Sequence, residues 1–557
     1  MTSLASLEPV RRKWAGAAAV AIAAVMAFAP PAIAETLDLT SATIADVQAA
    51  LGTHKLSSEK LTQAYLARIK AYDKQGPAIN AVIMVNPNAV KEARAMDRER
   101  RAGKVRGPLH GIPVIVKDNY NTVDMPTTAG SQLLAGSIPP TDAYVVKKLR
   151  DAGAIIIAKV NLNEFAGSGG MTNGEKDPKI AALGRAQAGF SSQGGQTRNP
   201  HDIARVPSSS SGGTGASVAA AFGQFGLGTD TGGSVRGPSS VNGIVGLKTS
   251  YGLVSRAGIV PLSLSLDTSG PMARSVYDVA AALNVMVGVD PDDATTQMSV
   301  GKAAADYTAF AKPGGLKGAR IGIGRDFLGG DEQVDKITED AIATLKSLGA
   351  EIVDPIKVPN YLLDQRTGVY ALLVNTEFKA QITDYLQTLK PGFPRSFDEI
   401  VALANDPATN YRSPEKAFGL KYSQAHAVGI DTPTYLALKN QALPAIRAGV
   451  EAVFASYKID AILAPTNSTP AQLIAEPRRG GGGRGDSPGN LTNESWVPEM
   501  VVPAGMTGEG LPVTISFIGM PFSEAKLIGY AYDFEQATKA RRLPKNTPEL
   551  KTDKINY

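Results

Sequence analysis

At 557 residues, 43% of them hydrophobic and 20% charged, the chain has the make-up of a large globular protein, which excludes a disordered or fibrous class. It has no cysteine, so a thiol nucleophile, a disulfide framework and a thiolate metal site are all ruled out. A formal net charge of +5 is too small over this length to point to nucleic acid or an anionic membrane as a partner.

The N-terminus reads as a targeting segment. Arg11-Arg12-Lys13 precedes an apolar run over 15–29, and Ala32-Ile33-Ala34 supplies the small residues of a cleavage site before Glu35. The run is short for a spanning helix. The expectation is a signal peptide over 1–34, export to the periplasm or the medium, and no stable membrane insertion after processing; an uncleaved anchor is the alternative. The Arg-Arg pair leaves twin-arginine export open. Removing 1–34 takes away three basic groups and Glu8, bringing the formal net charge from +5 to about +3.

The segment 44–76 has a helical pattern, with Ser57-Ser58 as caps before Glu59 and with Leu61, Tyr65, Leu66 and Ile69 recurring on one face. A strand is expected at 80–84, followed by a polar helix through the charged run 91–104, whose charges read as a solvated face. The continuous branched run 112–116 suits a strand buried on both sides. A helix over 142–152, stopped by Gly153, leads to a second buried strand over 154–160. This strand–helix–strand alternation predicts an α/β sheet. After Glu164 a glycine-rich polar passage runs to Asn199-Pro200, long enough to expect a functional or mobile loop.

Beyond it, a small-residue helix is expected over 213–222, strands at 226–228 and 243–247, and a helix over 275–286. The alternation continues with a strand at 319–324, a helix at 332–348 and a strand at 351–353. The stretch 359–457 reads as a mainly helical, substrate-facing elaboration. Late strands are expected at 460–464 and 512–518, with a closing helix over 522–540. The four glycines 480–483, inside the insert 478–486, mark a flexible loop; they lack the Gly-Lys-Ser/Thr of a phosphate cradle.

A serine hydroxyl needs a base to attack at neutral pH. The chain has 4 histidines, His54, His110, His201 and His426, and a Ser-His-Asp arrangement stays open by count, although none sits in a recognisable triad setting. Lysine is the other option, because burial makes its charge costly and lowers its pKa. Lys117 closes the apolar run 112–116, where it reads alternatively as a structural lysine paired with Asp118. Gly232-Gly233-Ser234 presents a serine behind two residues without Cβ, so backbone N–H groups can approach a ligand closely there.

Taken together, three stretches resemble the amidase signature family: Gly111-Ile112-Pro113-Val114-Ile115-Val116-Lys117-Asp118-Asn119, Ser210-Ser211-Gly212-Gly213, and Gly228-Thr229-Asp230-Thr231-Gly232-Gly233-Ser234-Val235-Arg236. Gly246-Leu247-Lys248-Thr249 and Gly270-Pro271-Met272 with Arg274 extend the resemblance over most of 35–557, and Gly194-Gly195-Gln196-Thr197-Arg198-Asn199-Pro200 turns it toward bacterial exported peptide amidases. The resemblance implies one catalytic domain over 35–557, with a mixed central sheet covered by helices on both faces. It implies Ser234 as nucleophile, Lys117 as neutral base, and Ser210 as the bridging serine behind a cis peptide. It also implies the backbone N–H groups of Thr231, Gly232, Gly233 and Ser234 as oxyanion hole, with Ser211, Asp230 and Arg236 in support. No metal or organic cofactor is implied.

Ser208-Ser209 stand where the family commonly has Gly-Gly, so a positive φ there would strain a serine, and Ser209 or Ser211 as relay stays open. The activity implied is hydrolysis of a small-molecule or peptide amide. An esterase, carbamate hydrolase or aryl acylamidase is the rival within that chemistry. A non-catalytic periplasmic binder and a transfer-RNA transamidation subunit stand further off.

Overall fold

The computed structural model describes residues 36–167, 183, 186–364, 366–476 and 488–557. The targeting segment 1–34, the insert 478–486 and about half of the polar passage after Glu164 lie outside the described residues.

The strands are β1 (Thr36–Asp38), β2 (Val82–Val85), β3 (Pro113–Lys117), β4 (Ile155–Val160), β5 (Phe190–Ser191), β6 (Gly195–Gln196), β7 (Phe225–Asp230), β8 (Val245–Lys248), β9 (Thr268–Ala273), β10 (Arg320–Ile323), β11 (Glu351–Val353), β12 (Ala461–Pro465), β13 (Glu499–Met506), β14 (Pro512–Ile518) and β15 (Lys554–Asn556). Eleven of them form one sheet in the order β11-β10-β12-β14-β13-β8-β9-β7-β3-β4-β2. It is mixed, as expected for the family: β3 runs parallel to β4 and β7, and β10 parallel to β11 and β12. Antiparallel pairs from β7 to β12 join those two parallel blocks. Every residue of β3, β4, β7, β8, β9, β12 and β14 is buried, which requires cover on both faces of the sheet. β1 pairs with β15 and ties the two ends of the described chain together.

The strand and helix patterns read from the sequence reappear with shifted ends, and three departures have physical causes. The segment 44–76 is two helices, Ile44–Gly52 and Ser58–Tyr72, parted by a turn in which His54 has φ +62°. Thr43 and Asp46 close a capping box on the first, and Ser57 caps the second. Asp97, inside the charged run 91–104, is buried and accepts from Ser58 N at 2.7 Å and Glu59 N at 3.0 Å, so it serves the neighbouring helix instead of solvent. β9 and β13 have no counterpart among the expected strands, because proline and glycine interrupt both. Gly270 is needed in β9: a Cβ there would lie 1.9 Å from the Leu247 carbonyl oxygen of the adjacent strand.

The stretch 359–457 is helical, with its longest segments at Ala371–Gln387, Pro414–His426 and Leu443–Tyr457. Phe378, Phe397, Leu420, Leu443 and Val450 give it a hydrophobic core apart from that of the sheet, shared with Leu134, Phe165 and Leu262 from loops of the sheet domain. Glu377 fixes that junction from the helical side. Its buried carboxylate accepts from the Ser263 hydroxyl at 2.7 Å, the Ser265 hydroxyl at 2.5 Å and the Tyr435 hydroxyl at 2.8 Å.

Candidate active site

β3 and β7 lie side by side and parallel, with Val116 opposite Leu227, so their C-terminal ends deliver Lys117 and Thr229-Asp230 to one edge of the sheet. Ligand crevices of open α/β sheets form at such edges. The serines 208–211 reach the same edge from the N-terminal end of the helix Gly212–Ala219. Gly213 permits that approach, since a Cβ there would lie 2.2 Å from the Asn161 carbonyl oxygen, just past the end of β4.

Lys117 is fully buried, and its Nζ donates to Ser210 Oγ at 2.8 Å and to Thr229 Oγ1 at 2.7 Å. Asn119 Nδ2 donates to the same Thr229 hydroxyl at 3.0 Å. Among the described residues no carboxylate pairs with Lys117. Asp118, the partner that a structural lysine would have used, instead faces Lys159 Nζ at 3.1 Å and accepts from Thr128. Burial pushes the Lys117 ammonium down to about 7, against the opposing attraction of Asp230 and Asp267.

Ser210 is 1% exposed, and the peptide bond before it, Ser209–Ser210, is cis. Of the Ser208-Ser209 pair only Ser208 has a positive φ, +65°, a left-handed conformation that a glycine would adopt without penalty. Ser211 ties the serine loop to the glycine turn: its N–H donates to the Ser234 carbonyl at 3.1 Å, and its hydroxyl donates to the Thr229 carbonyl at 3.2 Å.

The turn 231–235 winds around Asp230. That carboxylate accepts from Gly233 N at 2.8 Å and Val235 N at 2.9 Å, and it pairs with Arg236 at 3.1 Å. Arg236 in turn reaches Glu499 at 2.7 Å and the Gly489 carbonyl at 2.8 Å, while Asn493 Nδ2 donates back to Asp230 at 3.0 Å. Arg236 beside Asp230 holds that carboxyl well below the usual range, so it is an anion throughout neutral pH. Gly233 has φ +116°, which a side chain would resist. Thr231 is anchored separately, its hydroxyl donating to Asp267 at 2.5 Å; burial pushes Asp267 up to about 6.

One of the expected oxyanion donors is already engaged. The Gly233 N–H points inward to Asp230 and is spent, so the four expected donors reduce to three. Among the described residues the N–H groups of Thr231, Gly232 and Ser234 carry no hydrogen bond. Gly232, Gly233 and Ser234 are partly exposed, whereas Lys117 and Ser210 lie buried beneath them. Lys117 and Ser210 are in direct contact; the Ser234 hydroxyl bonds to neither and meets them through the backbone of Ser211.

The histidines play no part here. His110 Nε2 contacts the Met96 carbonyl at 3.0 Å, His201 Nε2 the Asn242 carbonyl at 3.1 Å, and His54 and His426 are exposed. Among the described residues no group of three or more His, Asp or Glu side chains is arranged to hold a metal ion. Asn493, Glu499 and Asp267 support the turn without having been marked in the sequence. They stand far along the chain from Asp230, in stretches with no local signal.

Fold and site together define the class: an α/β protein with a mixed central sheet and a buried lysine, and no histidine, at its serine cluster. The family profile described as Amidase matches residues 60–528, and the chain belongs to the amidase signature family. It is 40% identical to the native peptide amidase of Stenotrophomonas maltophilia, with a TM-score of 0.81 over 90% of this chain and 98% of that one. It is 38% identical to the peptide amidase solved with the competitive inhibitor chymostatin, with a TM-score of 0.80 and the same 90% and 98% coverage. Among curated relatives it is 34% identical to a glutamyl-tRNA(Gln) amidotransferase subunit of Thermoanaerobacter pseudethanolicus, over 91% of this chain and 99% of that one. It is also 34% identical to a probable amidase of Arabidopsis thaliana, over 92% and 93% of the two chains.

Proposed function

We propose that the chain cleaves the C–N bond of a small carboxamide or of a C-terminal peptide amide through an acyl-enzyme on Ser234. One observation carries the reading: a buried lysine with no carboxylate partner among the described residues, its ammonium pushed down to about 7, bonded to Ser210 beneath the turn that presents Ser234. Neutral Lys117 takes the Ser210 proton as Ser210 takes that of Ser234, and the Ser234 oxygen bonds to the carbonyl carbon. The N–H groups of Thr231, Gly232 and Ser234 carry the charge that develops on the carbonyl oxygen. The proton returns through Ser210 to the leaving nitrogen, the C–N bond breaks and the amine departs. Water then attacks the acyl-enzyme by the same relay and releases the acid.

The likeness to peptide amidases, one of them solved with the competitive inhibitor chymostatin, supports a peptide amide as substrate. Tyr370, from the helical stretch 359–457, stands against Gly232, and Tyr385 donates to Asn121 at 2.8 Å; both contacts support a substrate-facing role for that stretch. Matched amide, ester, carbamate and anilide substrates assayed with the purified chain test the reaction class. Amides turned over, with activity lost in Ser234→Ala, support it, and ester turnover alone would refute it.

The relatedness to the amidotransferase supports a second reading, in which the chain acts on an amide only within a larger assembly. Amide hydrolysis by the isolated chain decides against that. Export by residues 1–34 belongs to the first reading, supported by their sequence alone. A mature N-terminus at Glu35 in the periplasmic or secreted fraction is the expected finding.

A further inference from the structure

A buried amide with no hydrogen-bond partner among the described residues sits against the glycine turn. Asn490 is 4% exposed, and among the described residues neither its Oδ1 nor its Nδ2 has a hydrogen-bond partner. Leaving such a group unpaired costs about 1–3 kcal/mol, so a partner is expected at some stage of the protein's work. Its position says which stage. A Cβ built on Gly232 would lie 2.6 Å from Asn490 Oδ1 and 2.3 Å from the Tyr370 hydroxyl oxygen, so the Asn490 carboxamide lies against Gly232, whose N–H is one of the proposed oxyanion donors.

The placement is held from both sides. The Gly489 carbonyl accepts from Arg236, and Asn493 bonds to Asp230, so the chain on either side of Asn490 is tied to the ion pair that shapes the turn. Lys248 adds a third tie, donating to the Thr492 carbonyl at 3.0 Å and to the Val497 carbonyl at 2.7 Å. With its backbone fixed in this way, the Asn490 side chain has little freedom to find a partner elsewhere in the protein.

We infer that Asn490 is a specificity residue that reads the nitrogen of the scissile amide. Its Oδ1 accepts a hydrogen bond from the substrate N–H; an ester presents an oxygen with no hydrogen at that position and leaves Asn490 unpaired. A site built to bond a substrate N–H discriminates strongly against an analogue that lacks it, since the buried acceptor is then stranded. The inference rests on Ser234 being the nucleophile, and it adds the element that makes this site select amides over esters.

The test compares a primary amide with its matched methyl ester in the full mature chain. The variants are Asn490→Leu, which removes both polar atoms, and Asn490→Ala as a second variant should the larger apolar side chain disturb folding. Rates are normalised to the fraction of protein that a fluorophosphonate labels at Ser234, so only folded, competent sites are counted. The expected result is a fall in the amide-to-ester ratio of kcat/KM on the order of 100-fold in at least one correctly folded variant. A ratio within threefold of the unaltered enzyme, whether both rates fall together or neither moves, overturns the role of Asn490 and leaves the nucleophile assignment standing. A label that goes elsewhere than Ser234 in the unaltered enzyme overturns both.

Discussion

The pH dependence of turnover follows from where Lys117 is buried. With its ammonium pushed down to about 7, roughly half of the molecules hold a neutral base at pH 7 and about 1% do so at pH 5. An exposed lysine near 10.5 would be neutral in only about 0.03% of molecules at pH 7, so burial raises the population of usable base on the order of 1000-fold. For an uncharged amide, kcat/KM should therefore fall about tenfold per pH unit below 7 and level off above about 8.

The same shift has a stability counterpart, with its sign set by the lowered pKa. Between about 7 and 10.5 the unfolded chain binds the proton and the folded chain does not, so the Lys117 contribution to stability rises with pH across that window. Lys117→Met removes this dependence. It should abolish turnover, and its stability relative to the parent should improve by roughly 4 kcal/mol between pH 10.5 and pH 7 and stay level below that. Buried Lys159 and Lys248 are unchanged in the variant and cancel in the comparison. A pH–rate profile for the amide and urea denaturation at several pH values provide the two readouts. A flat profile from pH 5 to 8, a break above 9, or turnover by the Met variant would refute the reasoning.

Two further substitutions probe the turn. Gly232→Ala puts a carbon 2.3 Å from the Tyr370 hydroxyl oxygen, so the turn must shift and one proposed donor is misplaced; kcat should fall about 10²–10³-fold. Gly52→Ala, whose added carbon meets nothing within 4 Å, is the control expected to leave the rate unchanged. Arg236→Met strands the buried carboxylates of Asp230 and Glu499 and should cost about 3–5 kcal/mol in denaturant unfolding. A loss below about 1 kcal/mol would mean that the ion pair does not hold the turn.

Particular residues mark how far sequence reading reaches in this chain. β3 was legible because an unbroken branched run has few other uses, and Lys117 was legible because it ends that run. β9 and β13 were not, since Pro271, Gly270, Pro503 and Gly505 hide strands that only their neighbours in the sheet make possible. The serine and glycine motifs lie at the edge of the sheet where Lys117 ends β3. The direction of the Gly233 N–H did not follow from them, because it depends on how Asp230 is held by Arg236 and by Asn493, which lies far along the chain. Whether Lys117 is a salt-bridged lysine or a base was likewise undecidable locally: Lys159, on the neighbouring strand, takes Asp118 and leaves Lys117 without a carboxylate among the described residues.

The measurement closest to the central claim is the site of covalent capture. The unaltered mature chain is treated with a fluorophosphonate, or quenched during turnover of a slow amide, and the adduct is located by intact mass and peptide mapping. The account predicts one adduct per chain, on Ser234, formed faster as pH rises through about 7 and absent in Ser234→Ala. An adduct on Ser210, or one that persists in Ser234→Ala, would contradict it.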